Sequence, residues 1–183
     1  FGGGGHTRMM LDALNADGHI YGMDQDNDVL DNVPQDERFT LLPENFRYMR
    51  NFLRQEGVRH VDGILADLGV SSHQFDTGTR GFSIRFEGPL DMRMNQSQPV
   101  SAADVVGSYS VPELTRVFRQ YGELKRPDKA AYAIESARKE APITRTNGHL
   151  QGSSFSLDDI QLLMRVWTTR QHRPLPRPRS PPF

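Results

Sequence analysis

Gly2-Gly3-Gly4-Gly5 is the stretch that most limits what this chain can form. Four consecutive glycines bring no side chain to a core. They supply backbone that can take φ > 0 and that another group can approach closely. The run feeds directly into His6 to Leu14, where Met9, Met10, Leu11 and Leu14 make a short helical stripe. A glycine loop opening onto a helix is one way for a backbone to wrap a nucleotide-like ligand. A flexible terminus is the other reading, because the run stands at the start of the chain.

The residues that follow alternate between helix and strand signals. Asn15-Ala16-Asp17-Gly18 is a turn with Gly18 as a helix C-cap. His19 to Met23 reads as a strand ending at Asp24. Asp26 caps a short helix through Val33, and Pro34 stops it. Phe39 to Leu42 is a second strand. Asn45 to Glu56 carries Phe46, Met49, Phe52 and Leu53 at helical spacing and ends at Gly57. Val61 to Ala66 is expected to be a third strand, ending at Asp67. This alternation predicts an α/β fold with a parallel sheet. A nucleotide-binding loop needs a strand before it, so a start at Phe1 predicts a fragment or a sheet without its first strand.

Beyond Asp67 the pattern changes. Leu68 to Gln98 is rich in Gly, Ser, Asp, Arg and Met without a clear period, as functional loops are. Helices then return without strands. Ser110-Val111-Pro112-Glu113 is a capping box before Leu114, Val117, Phe118 and Tyr121. Asp128 to Lys139 is an alanine-rich helix with Ala130, Ala131, Ile134 and Ala137 on one face. Ser156 caps a further helix with Ile160, Leu163, Met164 and Trp167. The last twelve residues hold five of the twelve prolines and read as disordered or polyproline-like.

Charge narrows the function classes. The net charge is −1, but from Arg165 onward there are five arginines and no acid, which leaves 17 basic against 23 acidic residues before it. An RNA-handling role in the main body would therefore use a local site and not a broad basic face. With no cysteine, disulfides, thiolate metal sites and a cysteine nucleophile are excluded, which suits a cytoplasmic protein. No apolar run reaches the roughly 18 residues of a membrane span, and the start lacks the pattern of a signal peptide.

Asp24 lies at a strand end, about 20 residues past the glycines, where an acid accepts hydrogen bonds from ribose hydroxyls in nucleotide-binding α/β folds. A helix-capping or solvated aspartate is the alternative, with Asp26 and Asp28 nearby. Asp67 stands at a strand end too, on the edge where such sheets meet their ligands. Phe46 either packs on an adenine face or belongs to the core side of its helix. A dinucleotide oxidoreductase needs G-x-G-x-x-G/A. Counting from Gly2 or Gly3 puts Thr7 or Arg8 at the last position, so the packing glycine is missing.

Four motifs carry a resemblance: Gly2-Gly3-Gly4-Gly5-His6-Thr7; Asp67-Leu68-Gly69-Val70-Ser71-Ser72-His73-Gln74-Phe75-Asp76; Arg80-Gly81-Phe82-Ser83; and Gly88-Pro89-Leu90-Asp91-Met92-Arg93-Met94. Together with Tyr121-Gly122-Glu123 and Ala133-Ile134, the chain resembles the ribosomal RNA small-subunit methyltransferase H family, also called MraW, from Phe1 to about Thr144. The resemblance implies a Rossmann-like S-adenosylmethionine-dependent methyltransferase core, with an incomplete parallel sheet, and an α-helical insertion domain. It implies methylation of the exocyclic N4 of a cytidine in 16S ribosomal RNA, on the small ribosomal subunit, with no metal and no membrane. By the same resemblance Gly4, Gly5 and His6 contact the amino-acid end of the cofactor. Asp24 holds the ribose, Phe46 flanks the adenine, and Asp67 and Gln74 complete the pocket. The expected organisation is a partial core over 1–75, an irregular substrate loop and helical domain over 76–150, and a divergent helix and tail over 151–183.

For such a reaction, holding N4, methyl and sulfur in line supplies much of the catalysis. An acceptor for the N4 hydrogens would raise its nucleophilicity, and Asp67 is the candidate. Other amino-methyltransferases carry an Asp/Asn/Ser-Pro-Pro-aromatic tetrad at this strand end, where this chain has Asp67-Leu68-Gly69-Val70. Arg85, Asp91 and Arg93 are candidates to grip RNA phosphate or a flipped base, or else a salt-bridged loop scaffold. A non-catalytic remnant of the family is the alternative function.

Overall fold

The computed structural model describes residues 1–83, 85–122 and 124–146. The expected helix after Ser156, the Pro/Arg-rich end and Glu123 lie outside the described residues. The described residues separate into two compact units: residues 1–71 with 94–97, and residues 72–93 with 98–146.

The first unit is built on two parallel strands, β1 (Ile20–Met23) and β2 (Phe39–Leu42), with Ile20 opposite Phe39 and Met23 opposite Leu42. A side chain at Gly22 would strike the Phe39 ring at 2.7 Å, so this strand position needs glycine for packing. Before them, α1 (Gly5–Ala13) turns Thr7 and Leu11 inward. Asp26 accepts from the Asp28 N–H and opens a short 3-10 helix, Asn27–Asn32. Asn45 accepts from the Arg47 N–H and opens the 3-10 turn Phe46–Tyr48, which runs on into α2 (Met49–Gln55). Gly57, at φ 78°, ends that segment as expected. Few apolar side chains are buried here: Leu11, Val29, Phe39, Leu42 and Met94.

Two expectations for this unit are corrected. Val61 to Ala66 forms no strand, and Ile64 and Leu65 are 66% and 62% exposed. A strand needs a partner for its backbone groups. β1 has β2 along one edge, and on the other the Met23 carbonyl accepts from the Phe1 amine at 3.0 Å. Gly18 is not the cap of α1, whose C-cap is Leu14 in an extended conformation. Gly18 is instead crowded by Leu14, whose side chain would lie 2.5 Å from a Cβ there.

The second unit holds most of the buried apolar side chains. α3 (Ser72–Asp76) and a 3-10 turn at Gly78–Arg80 interrupt the stretch expected to be irregular. α4 (Ala102–Ser108) is a helix that sequence reasoning missed, although Ser101 and Asp104 form a reciprocal capping box. α5 (Val111–Tyr121) starts at the expected Ser110–Glu113 box, and α6 (Pro127–Glu140) follows. Leu114, Val117, Phe118 and Tyr121 of α5 and Ala130, Ala131, Ile134 and Ala137 of α6 are all buried, as their spacing predicts. The two glycine-rich motifs close on each other. The Met92 N–H donates to the Arg80 carbonyl at 3.0 Å, and Thr146 N–H to the Gly88 carbonyl at 2.9 Å. Gly81, at φ 73°, lets the Pro89 carbonyl approach to 2.3 Å of where a Cβ would stand.

Candidate functional site

Of the sequence-predicted residues, Gly4, Gly5, His6, Asp24, Phe46 and Asp67 belong to the first unit. Gln74, Arg85, Asp91 and Arg93 belong to the second.

The glycine run divides by role. Gly2 and Gly4 adopt φ 59° and 73°, the left-handed region in which a side chain is strained. Gly4 is also the N-cap of α1, and a Cβ on it would come within 3.2 Å of the Asn32 carbonyl. Gly3 and Gly5 have no such reason to be glycine. A Cβ on either would meet nothing within 4 Å. Their bare backbone faces open space at the start of a helix. The first N–H groups of any helix lack an internal acceptor, and here Arg8 is the first to close, onto the Gly4 carbonyl at 2.9 Å. The loop therefore presents donors to an incoming anionic or polar group.

Asp24, one residue past β1, is aimed at this loop. Its Oδ2 accepts from the Gly2 N–H at 2.8 Å and its Oδ1 from the Asp26 N–H at 3.0 Å. The Phe1 amine lies 3.3 Å from Oδ2. Backbone donors thus fix both carboxylate oxygens, and the remaining lone pairs can accept from hydroxyls. One strand away, Asn45 donates through Nδ2 to the Gln25 Oε1 at 3.1 Å. That bond ties the residue before Phe46 to the residue after Asp24. Phe46 is 37% exposed, so its ring is not a core residue of its helix.

The first unit also brings His6 and Asp67 together. His6 Nδ1 lies 3.5 Å from Asp67 Oδ2, with side chains 64% and 76% exposed. Sixty-one positions separate them, and no periodicity in the sequence links the two. Asp67 ends the exposed stretch described above, so the contact with His6 is what relates it to the glycine loop.

In the second unit Gln74 is buried on α3. Arg85 is exposed and reaches the Asp76 Oδ1 at 3.3 Å. Arg93 donates to both oxygens of Asp91, from Nε at 2.8 Å and Nη2 at 2.7 Å, and from Nη1 to the Gln98 carbonyl at 2.7 Å. Burial pushes the Asp91 carboxyl up, but the guanidinium and backbone N–H of Arg93 outweigh it and hold the group below its ordinary value. Asp91 and Arg93 are thus occupied with each other, as a salt-bridged scaffold requires.

Among the described residues no group of three or more His, Asp and Glu is placed to hold a metal ion, and no helix is long and apolar enough to cross a membrane.

A glycine loop with two glycines that packing does not require, an oriented aspartate at the next strand end and a second aspartate against the helix start make this a candidate binding site. Comparison with known proteins gives the family. Residues 1–152 match the model of the MraW methylase family. The chain belongs to this family. A family relative from Flavobacterium psychrophilum, named ribosomal RNA small subunit methyltransferase H, is 51% identical over 146 residues, covering 80% of this chain and 50% of the relative. Proteins of the same name from Christiangramia forsetii and Phocaeicola vulgatus are 51% and 55% identical, over 170 and 138 residues. These cover 91% and 75% of this chain and 56% and 45% of the relatives. The chain spans about half the length of the curated relatives it matches.

Proposed function

We propose that the chain is the cofactor-binding part of a methyltransferase that uses S-adenosylmethionine to methylate N4 of a cytidine in 16S ribosomal RNA. The open backbone at Gly3 and Gly5, beside the fixed carboxylate of Asp24, carries this reading. The names of the relatives, ribosomal RNA small subunit methyltransferase H, support the substrate. The core in this reading is Rossmann-like, with the second unit as the helical insertion domain.

The residues of the first unit fit such a cofactor. S-adenosylmethionine supplies a methyl group activated on a sulfonium. Gly4, Gly5 and His6 would hold its amino-acid end, with the N–H groups of Gly5 and His6, unsatisfied at the start of α1, as donors. Asp24, already oriented by Gly2 and Asp26, accepts from the ribose hydroxyls. Phe46 offers its exposed ring to the adenine. Asp67 would accept a hydrogen bond from the cytidine amino group, raising the nucleophilicity of its nitrogen, and would take the proton that the nitrogen loses as it gains the methyl group. His6, 3.5 Å from it, orients that carboxylate. Arg85, Asp91 and Arg93 contribute to holding RNA, Arg93 through whatever donor capacity its pairing with Asp91 leaves.

Transfer of a labelled methyl group from S-adenosylmethionine to small-subunit RNA tests the reading. Incorporation that disappears in Asp67→Ala supports it, and incorporation unchanged in that variant removes Asp67 from the chemistry. A second reading, cofactor binding without turnover, is favoured by the exposure of the stretch ending at Asp67. Binding of S-adenosylmethionine with no incorporation into RNA would select it.

A further inference from the structure

We infer that Arg8 is a positioning residue for the glycine loop, fixing the bare backbone in the shape that receives the cofactor. The inference rests on the cofactor reading above. It begins from a fork. Arg8 Nη1 donates to the Gly3 carbonyl at 2.9 Å and Nη2 to the Asn32 carbonyl at 3.2 Å. The two carbonyls belong to segments 29 positions apart. One is the loop itself, and the other is the last residue of the 3-10 helix that follows Asp24 and Asp26. A planar guanidinium holds two acceptors at a fixed separation, which an ammonium cannot do.

The same Asn32 carbonyl meets the loop a second time. It lies 3.2 Å from where a Cβ on Gly4 would stand, so glycine at position 4 is what lets it come close. Gly4 permits the approach, and Arg8 secures it. Arg8 also begins the helical ladder, with its own N–H on the Gly4 carbonyl at 2.9 Å. One residue thus fixes Gly3 by its side chain, Gly4 by its backbone, and the spacing of the loop from the Asp24 segment. Without that fork, Gly3 has no packing contact to limit it, since nothing lies within 4 Å of its side-chain position. A glycine loop with no restraint loses conformational freedom when a ligand binds, and restraint in advance improves affinity.

Both side-chain bonds are exposed, so they add little to global stability, and the effect falls on binding. Calorimetric titration of S-adenosylmethionine into the chain, with Arg8→Gln and Arg8→Lys beside it, tests this. Arg8→Gln is expected to weaken binding about five- to tenfold, the effect of roughly one ordinary net hydrogen bond at an exposed site. Arg8→Lys, which reaches one carbonyl only, is expected to fall between. Amide exchange at Gly4, whose N–H donates to the Phe1 carbonyl at 3.2 Å, should speed up in the same order. Unchanged affinity and unchanged exchange in Arg8→Gln overturn the inference. Arg8→Lys equal to the unsubstituted chain in both readouts overturns it too, because charge alone would then suffice. If the unsubstituted chain does not bind S-adenosylmethionine, the cofactor reading fails, and Gly4 exchange still decides whether Arg8 holds the loop.

Discussion

The two units divide chemistry from stability. The first has most of the candidate cofactor residues and a thin interior, with five buried apolar side chains and a sheet of only two strands. The second buries Phe82, Leu90, Met92, Leu114, Phe118 and Ile134 almost completely, and its candidate residues are partly used up in holding loops together. Charge follows the same division. Residues 1–71 carry twelve acidic against six basic side chains, and residues 72–146 carry nine against eleven. A two-stranded sheet is marginal alone, so the first unit has less to hold it than the second, which has its own core. Under the proposed function, an acidic first unit and a mildly basic second unit suit a division of labour between cofactor and RNA.

The sharpest way to break this comparison is a cavity in the second unit. Phe118→Ala, at a position 1% exposed, should cost about 3–5 kcal/mol, read as a lowered denaturant midpoint. A loss below about 1 kcal/mol would mean that the α5–α6 core is not what holds this unit. The Asp91–Arg93 pair is expected to contribute less. Asp91→Asn should cost about 1–2 kcal/mol at neutral pH. The folded-state pKa of Asp91 is depressed, so its contribution is fully present above the unfolded value near 3.9. It is lost as pH falls through the lower folded value, and the two stability curves should converge there. The smallest effect is expected in the first unit. Ile64→Gln, on the exposed stretch, should change stability by under about 0.5 kcal/mol. A larger loss would show that this stretch is packed after all.

The sequence made some of this legible and hid the rest for physical reasons. β1 and β2 could be read because short apolar runs end at Asp24 and Pro43 beside turn residues. α5 and α6 could be read because their stripes are long and start at a capping box or Pro127. The stretch at Val61 to Ala66 has the same apolar look, but a strand exists only where a neighbour pairs with it, and composition does not report neighbours. α4 was missed because one seven-residue helix leaves too short a period, although Ser101 and Asp104 marked its start. In the site, the spacing from the glycines to Asp24 was readable. Gln74 came only from the family motif. The fork of Arg8 onto Asn32 and the approach of His6 to Asp67 join residues far apart in sequence, which no local pattern encodes.

The most direct test of the central claim, that the first unit is a methyl-donor site, is calorimetric titration of the chain with S-adenosylmethionine and, separately, with NAD. Saturable binding of S-adenosylmethionine is expected, weakened at least tenfold in Asp24→Ala by the loss of about 1.4 kcal/mol of ribose contact, with no binding of NAD. Binding of NAD without binding of S-adenosylmethionine would contradict the claim.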